Sequence, residues 1–190
     1  CGCLLGLAGC QSGPSAEELI TQDLEEQLGA VRDTDSELYA EFVEDLEASN
    51  GEDLDMLGVD ATDYVTSLLD GFDYQIEEVT VDEDAGTAAA DVTITCKSLY
   101  RAMEDFGVAV EQYAEQYVAD ALASGQTDVD ESALYQEMGQ LFMDTIDSAE
   151  IQDNACTFNY TRDDEGAWEV DESAEDELLN AMLGTPSSEQ

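Results

Sequence analysis

The spacing of apolar residues switches back and forth between two periods along this chain, and that alternation constrains the fold more than any other feature. Leu19, Ile20, Leu24, Leu28 and Val31 follow helical spacing, as do Leu38, Tyr39, Phe42, Val43 and Leu46, and then Tyr64, Val65, Leu68 and Leu69. Ser15, with Glu18 three residues on, predicts a reciprocally capped helix start. Asn50-Gly51 predicts the end of the second helix. At Phe72 the period drops to two: Phe72, Tyr74 and Ile76 alternate with polar residues, and Val79 and Val81 continue out of phase, which predicts a bulge near Glu77-Glu78. Asp82 to Gly86 reads as a hairpin connection, after which Ala88, Ala90, Val92, Ile94 and Cys96 share one face of a returning strand. Helical spacing resumes with Leu99, Met103, Phe106, Val110, Tyr113, Tyr117 and Leu122, closed by Ser124-Gly125, and again with Leu134, Met138, Leu141, Phe142 and Ile146. A second hairpin has Cys156, Phe158 and Tyr160 on one face, a turn at Asp163 to Gly166, and Trp168 and Val170 returning. Leu178, Leu179, Met182 and Leu183 mark a last helix.

Two hairpins alternating with helices predict an α+β fold, a four-stranded antiparallel sheet with helices packed on one face. The 190 residues are 43% hydrophobic, enough for one domain with a true core. That domain is placed at residues 16–183, followed by a loose polar tail over 184–190.

At the start of the chain, Leu7-Ala8-Gly9-Cys10 closes a short apolar run and opens the polar stretch Gln11-Ser12-Gly13-Pro14-Ser15. An apolar residue, two small residues and a cysteine resemble the lipobox of bacterial lipoproteins. The resemblance implies that residues 1–9 are the remnant of a signal segment, that Cys10 carries a diacylglyceryl group, and that residues 10–15 tether the domain to the outer face of a membrane. The apolar run is far shorter than the ~20 residues that span a bilayer. Cys1 and Cys3 go with the signal, which leaves Cys96 and Cys156. If the hairpins join as a meander, Cys96 late in one strand and Cys156 early in the next are antiparallel neighbours on the apolar face. A disulfide between them is therefore expected in an oxidising compartment.

Asp73-Tyr74-Gln75-Ile76-Glu77-Glu78-Val79-Thr80-Val81-Asp82, Asp91-Val92-Thr93-Ile94-Thr95 and Asp164-Glu165-Gly166-Ala167-Trp168-Glu169-Val170-Asp171, taken with the lipobox, resemble small extracellular lipoproteins of Gram-positive bacteria. Those proteins carry uncharacterised domains similar to NTF2-like or cystatin-like folds, in which helices curl against a bent antiparallel sheet. The resemblance covers about residues 55–183 and supplies no functional residues.

Charge and composition narrow the chemistry. With 48 acidic residues against 4 basic ones the net charge is −44, and the only cations are Arg32, Lys97, Arg101 and Arg162. Such a surface repels phosphate backbones and anionic headgroups, so no nucleic-acid partner is expected and membrane attachment rests on Cys10. The acids are spread along the whole chain, the pattern of an acid-biased proteome rather than of a dedicated site. There is no histidine, which removes Ser-His and Cys-His nucleophilic systems and most transition-metal sites. No cofactor, metal or catalytic residue is expected. Asp33-Thr34-Asp35-Ser36-Glu37 and Asp128-Val129-Asp130-Glu131-Ser132 have alternating oxygen ligands, but Leu38 and Ala133 stand where an EF-hand loop needs glycine. Loose divalent-cation association at the acidic turns Asp82–Asp84 and Asp163–Glu165 is left as a partner class. The sequon Asn159-Tyr160-Thr161 falls in a strand and is read as chance.

Tyr74, Phe106, Tyr113, Tyr117, Phe158 and Trp168 are the candidate lining of an apolar ligand pocket between sheet and helices. The expectation is a non-catalytic, lipid-anchored, extracytoplasmic binding or accessory module of the cell envelope. Its partner would be a small apolar ligand or an envelope protein. The alternative is an extracellular hydrolase working with carboxylates alone. Two buried acids facing one cleft would mark it.

Overall fold

The computed structural model describes residues 13–125 and 130–184. The lipobox with Cys10, Asp128-Val129 at the start of the second oxygen-rich stretch, and the tail beyond Gly184 lie outside the described residues. The elements run α1 (Ala16–Arg32), α2 (Glu37–Leu57), α3 (Ala61–Leu69), β1 (Asp73–Asp82), β2 (Thr87–Lys97), α4 (Leu99–Ser124), α5 (Glu131–Asp147), β3 (Ile151–Arg162), β4 (Trp168–Val170) and α6 (Ala174–Leu183). The strands form one antiparallel meander in the order β1-β2-β3-β4, so the fold is α+β.

Local chemistry sets the boundaries. Ser15 Oγ accepts from the Glu18 amide and Glu18 Oε2 accepts from the Ser15 amide, closing the capping box that starts α1. The β1–β2 register slips between Ile76 and Glu78, where the apolar alternation changed phase. The second helix does not stop at Asn50-Gly51. It continues to Leu57 and ends at Gly58 in the left-handed conformation. The reason is tertiary: Leu54 and Leu57 lie one and two turns beyond Asn50, and both pack into a core that a helix ending at Asn50 would leave open.

There are two cores. In the first, Ile20, Leu24, Leu28 and Val31 of α1 and Ala181 and Met182 of α6 cover the apolar face of the sheet. Cross-strand pairs on that face match small against large: Ala88 lies opposite Tyr160 and Ala90 opposite Phe158. The other sheet face is polar, with Thr93, Thr95 and Thr157 hydroxyls donating to Glu77, Asp153 and Asp91 at 2.7–3.1 Å. The second core joins α2, α3 and α5 through Leu54, Val59 and Ala61, with Val43, Leu46, Tyr64, Phe142 and Met143 around them. Helices therefore cover one sheet face as expected, but only α1 and α6 do so. β1 starts, β2 finishes and β3 starts at the same end of the meander, so α2 to α5 gather beyond that end. The hairpin turns point the opposite way.

The expected disulfide is not formed. Cys96 and Cys156 are both free and buried. They share the apolar face, but Cys96 lies opposite Gln152 and Cys156 opposite Val92. That is a stagger of four residues, ~13 Å at strand rise, where a bridge needs Cα atoms within about 7 Å. β3 begins at Ile151, so Cys156 sits mid-strand rather than early in it.

Candidate functional site

Among the described residues a cleft opens where the two cores meet, at the helical end of the sheet. Its volume is about 780 Å³. The end of α1 and the following turn supply Val31, Arg32 and Thr34, α2 supplies Tyr39, α3 and its exit supply Asp63, Thr66, Ser67 and Phe72, and α5 supplies Met143 and Asp147. Ser36 caps α2 by accepting from the Tyr39 amide at 3.0 Å, which fixes the first turn that carries Tyr39 into the cleft. Asp60 Oδ1 caps α3 by accepting from the Thr62 and Asp63 amides.

The polar atoms of the cleft form two linked sets. Tyr39 and Thr66 hydroxyls are 2.7 Å apart, and the Tyr39 hydroxyl also lies 3.4 Å from the Thr62 carbonyl. The Ser67 hydroxyl donates a short bond to the Asp147 carboxylate. Behind it, Lys97 Nζ donates to the Ser67 carbonyl at 2.8 Å and lies 3.9 Å from Asp70 Oδ2. Lys97 is only 4% exposed, the floor beneath an exposed Asp70. At the rim Arg32 Nη1 pairs with Asp73 at 3.1 Å, both side chains exposed. Arg32 thus lines the cleft, and buried Lys97 stands behind its lining. The carboxylates that line it, Asp63, Asp70 and Asp147, are all exposed. They can bind and orient a polar or cationic group, and none of the three is buried. Among the described residues no cluster of three or more His, Cys, Asp or Glu is arranged to hold a metal. A smaller cleft of about 440 Å³ lies between Leu57-Gly58-Val59 and the Gln136 to Asp144 stretch of α5.

The six aromatic residues expected to line a pocket stand in separate settings, and none lines either cleft. Phe158 is buried in the sheet core. Tyr74 packs beside α1 and donates to the Glu25 carbonyl at 3.2 Å. Trp168 lies under the Arg162 guanidinium, 5.5 Å from it, at the hairpin end. Phe106 meets Phe142 edge-on at 5.4 Å in the helical cluster. Tyr113 and Tyr117 stack on each other along α4. The oxygen-rich turns also spend their first carboxylates locally: Asp33, Asp82 and Asp163 accept from backbone amides two to four residues on. Sequence reasoning missed Ser67, Asp147 and Lys97. One signal was there: Lys97 is the sole lysine of the chain, placed at the end of an apolar strand.

Neither a protein-family model nor a curated protein matches the chain. One solved structure to which it is similar is that of ycdA from Bacillus subtilis, a candidate lipoprotein, with 12% identity and a TM-score of 0.44 over 87% of this chain and 54% of that one. The chain spans about half the length of that protein.

Proposed function

We propose that this protein is a lipid-anchored binding module of the extracytoplasmic membrane face, and that the cleft at the helical end is its ligand site. The observation that carries the reading is the position of that cleft along the molecule. Five residues link Cys10 to Ser15, a reach of at most ~18 Å. α1 then rises ~25 Å from the hairpin end to the helical end, and its last turn forms one wall of the cleft. An anchor at Cys10 therefore holds the hairpin turns toward the membrane and presents the cleft to the space outside. Exposed carboxylates, hydroxyls and the Tyr39 ring suit recognition of a polar or amine-bearing ligand. The absence of a buried acid pair among the cleft's lining residues favours binding over carboxylate hydrolysis.

The test uses the full chain, expressed with its signal segment and extracted from membranes in mild detergent. Intact mass should show the diacylglyceryl addition, and Cys10→Ser should move the protein to the soluble fraction. Native mass spectrometry should then show a retained small molecule that is lost in Tyr39→Ala with Asp147→Ala. A bare protein, or a retained mass indifferent to those substitutions, would refute the cleft as the site. Unchanged membrane association of Cys10→Ser would refute the anchor.

A further inference from the structure

β3 has an outer edge with no partner strand over most of its length. On its inner side it pairs with β2 from Ile151 opposite Lys97 to Thr161 opposite Thr87, without a register shift. On its outer side β4 covers only Tyr160 to Arg162. Two bonds fix which backbone groups point which way. The Arg162 amide donates inward to the Gly86 carbonyl, and the Asn159 carbonyl accepts on the outer side from the Asp171 amide. Direction alternates along an antiparallel strand. Ile151, Asp153, Ala155 and Thr157 therefore turn both N–H and C=O outward, along an edge of ~20 Å. Among the described residues none of these backbone groups has a hydrogen-bond partner. Ile151, Asp153 and Ala155 are exposed, so the edge is open to solvent.

The other long edge is guarded. β1 breaks register between Ile76 and Glu78 and carries Asp73, Glu77, Glu78 and Asp82, a bulge and charges that deter strand addition. Ile151 to Thr157 has no bulge, no proline and a single charge, Asp153.

Unpaired strand groups specify their occupant in a way that an apolar patch does not, because another extended backbone offers donors and acceptors at the same repeat. The open stretch lies between Glu150, whose carbonyl is taken by the Ser98 amide, and Asn159, so it accepts a segment of about seven residues. A second copy does not suit it. Symmetric pairing of β3 with itself is antiparallel and turns one molecule end over end. Given the anchor proposed above, only one of the two hairpin ends would then face the membrane. We propose that this edge binds an extended segment of another protein by strand addition, with a basic side chain of that segment beside Asp153. Backbone bonds supply the affinity. The Asp153 carboxylate, held by the Thr95 hydroxyl at 2.7 Å, selects the side chain next to it.

The probe is a peptide of about nine residues, valine and threonine around one central lysine. It is made in two forms, with backbone N-methyl groups on the odd residues in one and on the even residues in the other. Side chains and charge are the same, so general attraction to an acidic protein is equal for both. Successive N–H groups of a strand point to opposite sides, so one form blocks the bonds to β3 and the other leaves them free. In physiological salt the full chain should bind one form about tenfold more tightly than the other. The bound form should slow hydrogen exchange at the Asp153, Ala155 and Thr157 amides, which exchange fast in the free chain. Ala155→Pro removes an outward N–H and no bond to β2, and should bring the preference to within about twofold with unchanged circular dichroism. Asp153→Lys should weaken the binding form about threefold. Equal binding of the two forms would overturn the proposal, as would a preference that survives Ala155→Pro, and unchanged affinity in Asp153→Lys would remove the basic side chain from it. Outward amides already protected in the free chain would also overturn it. In a dimer by sedimentation they would assign the edge to a second copy, and in a monomer to the chain's own segment beyond Gly184. None of these readouts depends on the anchor.

Discussion

Two glycines with opposite roles show how much one Cβ decides. Gly139 of α5 lies against the end of α2, and a Cβ there would overlap the Leu57 carbonyl oxygen and crowd Val59. Gly139→Ala should therefore force backbone apart in the second core and cost about 2 kcal/mol or more, read as a lower denaturant midpoint. Gly51 is helical, and nothing lies within 4 Å of a Cβ added to it. Gly51→Ala should raise stability by about 0.5–1 kcal/mol, because alanine loses less backbone freedom in a helix. A Gly139→Ala midpoint as high as wild type would mean that the helix–helix approach at Gly139 is wrong. Tyr160 makes a third residue-scale case. Its phenol is buried and donates to Asp23 Oδ2 at 2.9 Å, and burial first, then that carboxylate, push its pKa far up. The unfolded phenol titrates near ~10. The sign follows: this group's contribution is fully present below pH ~10 and is lost as pH rises above it, because the unfolded state releases the proton while the fold holds it. Tyr160→Phe should lose about 1 kcal/mol at neutral pH, yet its stability should fall less steeply than wild type between pH 9 and 11. Parallel slopes in urea titrations across that range would contradict the buried phenol.

At the scale of elements, what the sequence revealed and what it hid divide along one physical line. Signals confined to a few neighbouring residues were legible. Ser15 and Glu18 marked the start of α1, the phase change after Ile76 marked the bulge, and Ser124-Gly125 marked the end of α4. Choices made by distant contacts were not. Asn50-Gly51 is a sound local stop, but the second core needs Leu54 and Leu57, and burial outweighs the glycine's ~1 kcal/mol. Spacing told which face of a strand or helix each aromatic residue occupies. It did not tell that α1 and α6 share the sheet while Phe106 packs in the helical cluster, so one pocket was expected where the six rings stand in separate settings. Strand register is equally non-local, since the two cysteines were known to face the same side but not how far β3 slides past β2. The register now makes a prediction of its own. Cys96 and Cys156 are held apart in the core, and burial, then Glu177 and Asp91, push the Cys156 thiol up to about 11. Both thiols should resist alkylation at pH 8 in the native protein and react fully in denaturant, with no mass change on reduction. A two-hydrogen mass deficit would mean that β3 is set four residues differently.

For the whole molecule the decisive quantity is charge. Among the described residues, three of the chain's four cations are engaged in ion pairs: Arg32 with Asp73, Lys97 with Asp70, and Arg162 with Glu83. Against these few attractions stand 48 acids. A domain of this length has a radius of gyration of about 16 Å. At 0.01 M salt the screening length is about 30 Å, so every acid feels nearly every other, whereas at 0.15 M it is about 8 Å and only neighbours interact. Salt therefore removes far more repulsion than attraction here, and the melting temperature should rise steeply with sodium chloride, with most of the gain below about 0.5 M. A gain spread evenly to molar concentrations would instead indicate preferential exclusion of salt from apolar surface. The effect should also be uneven in space. The sheet's open face ties Glu77, Asp91 and Asp153 to threonine hydroxyls, while the distal half of α4 has acids, no basic residue and no buried side chain. Lowering the salt should thus deprotect the amides of residues 111–124 in hydrogen exchange before those of β2 and β3. Uniform loss of protection across sheet and hairpin would show that repulsion acts on the domain as one body, and that the α4–α5 hairpin is as firmly held as the core.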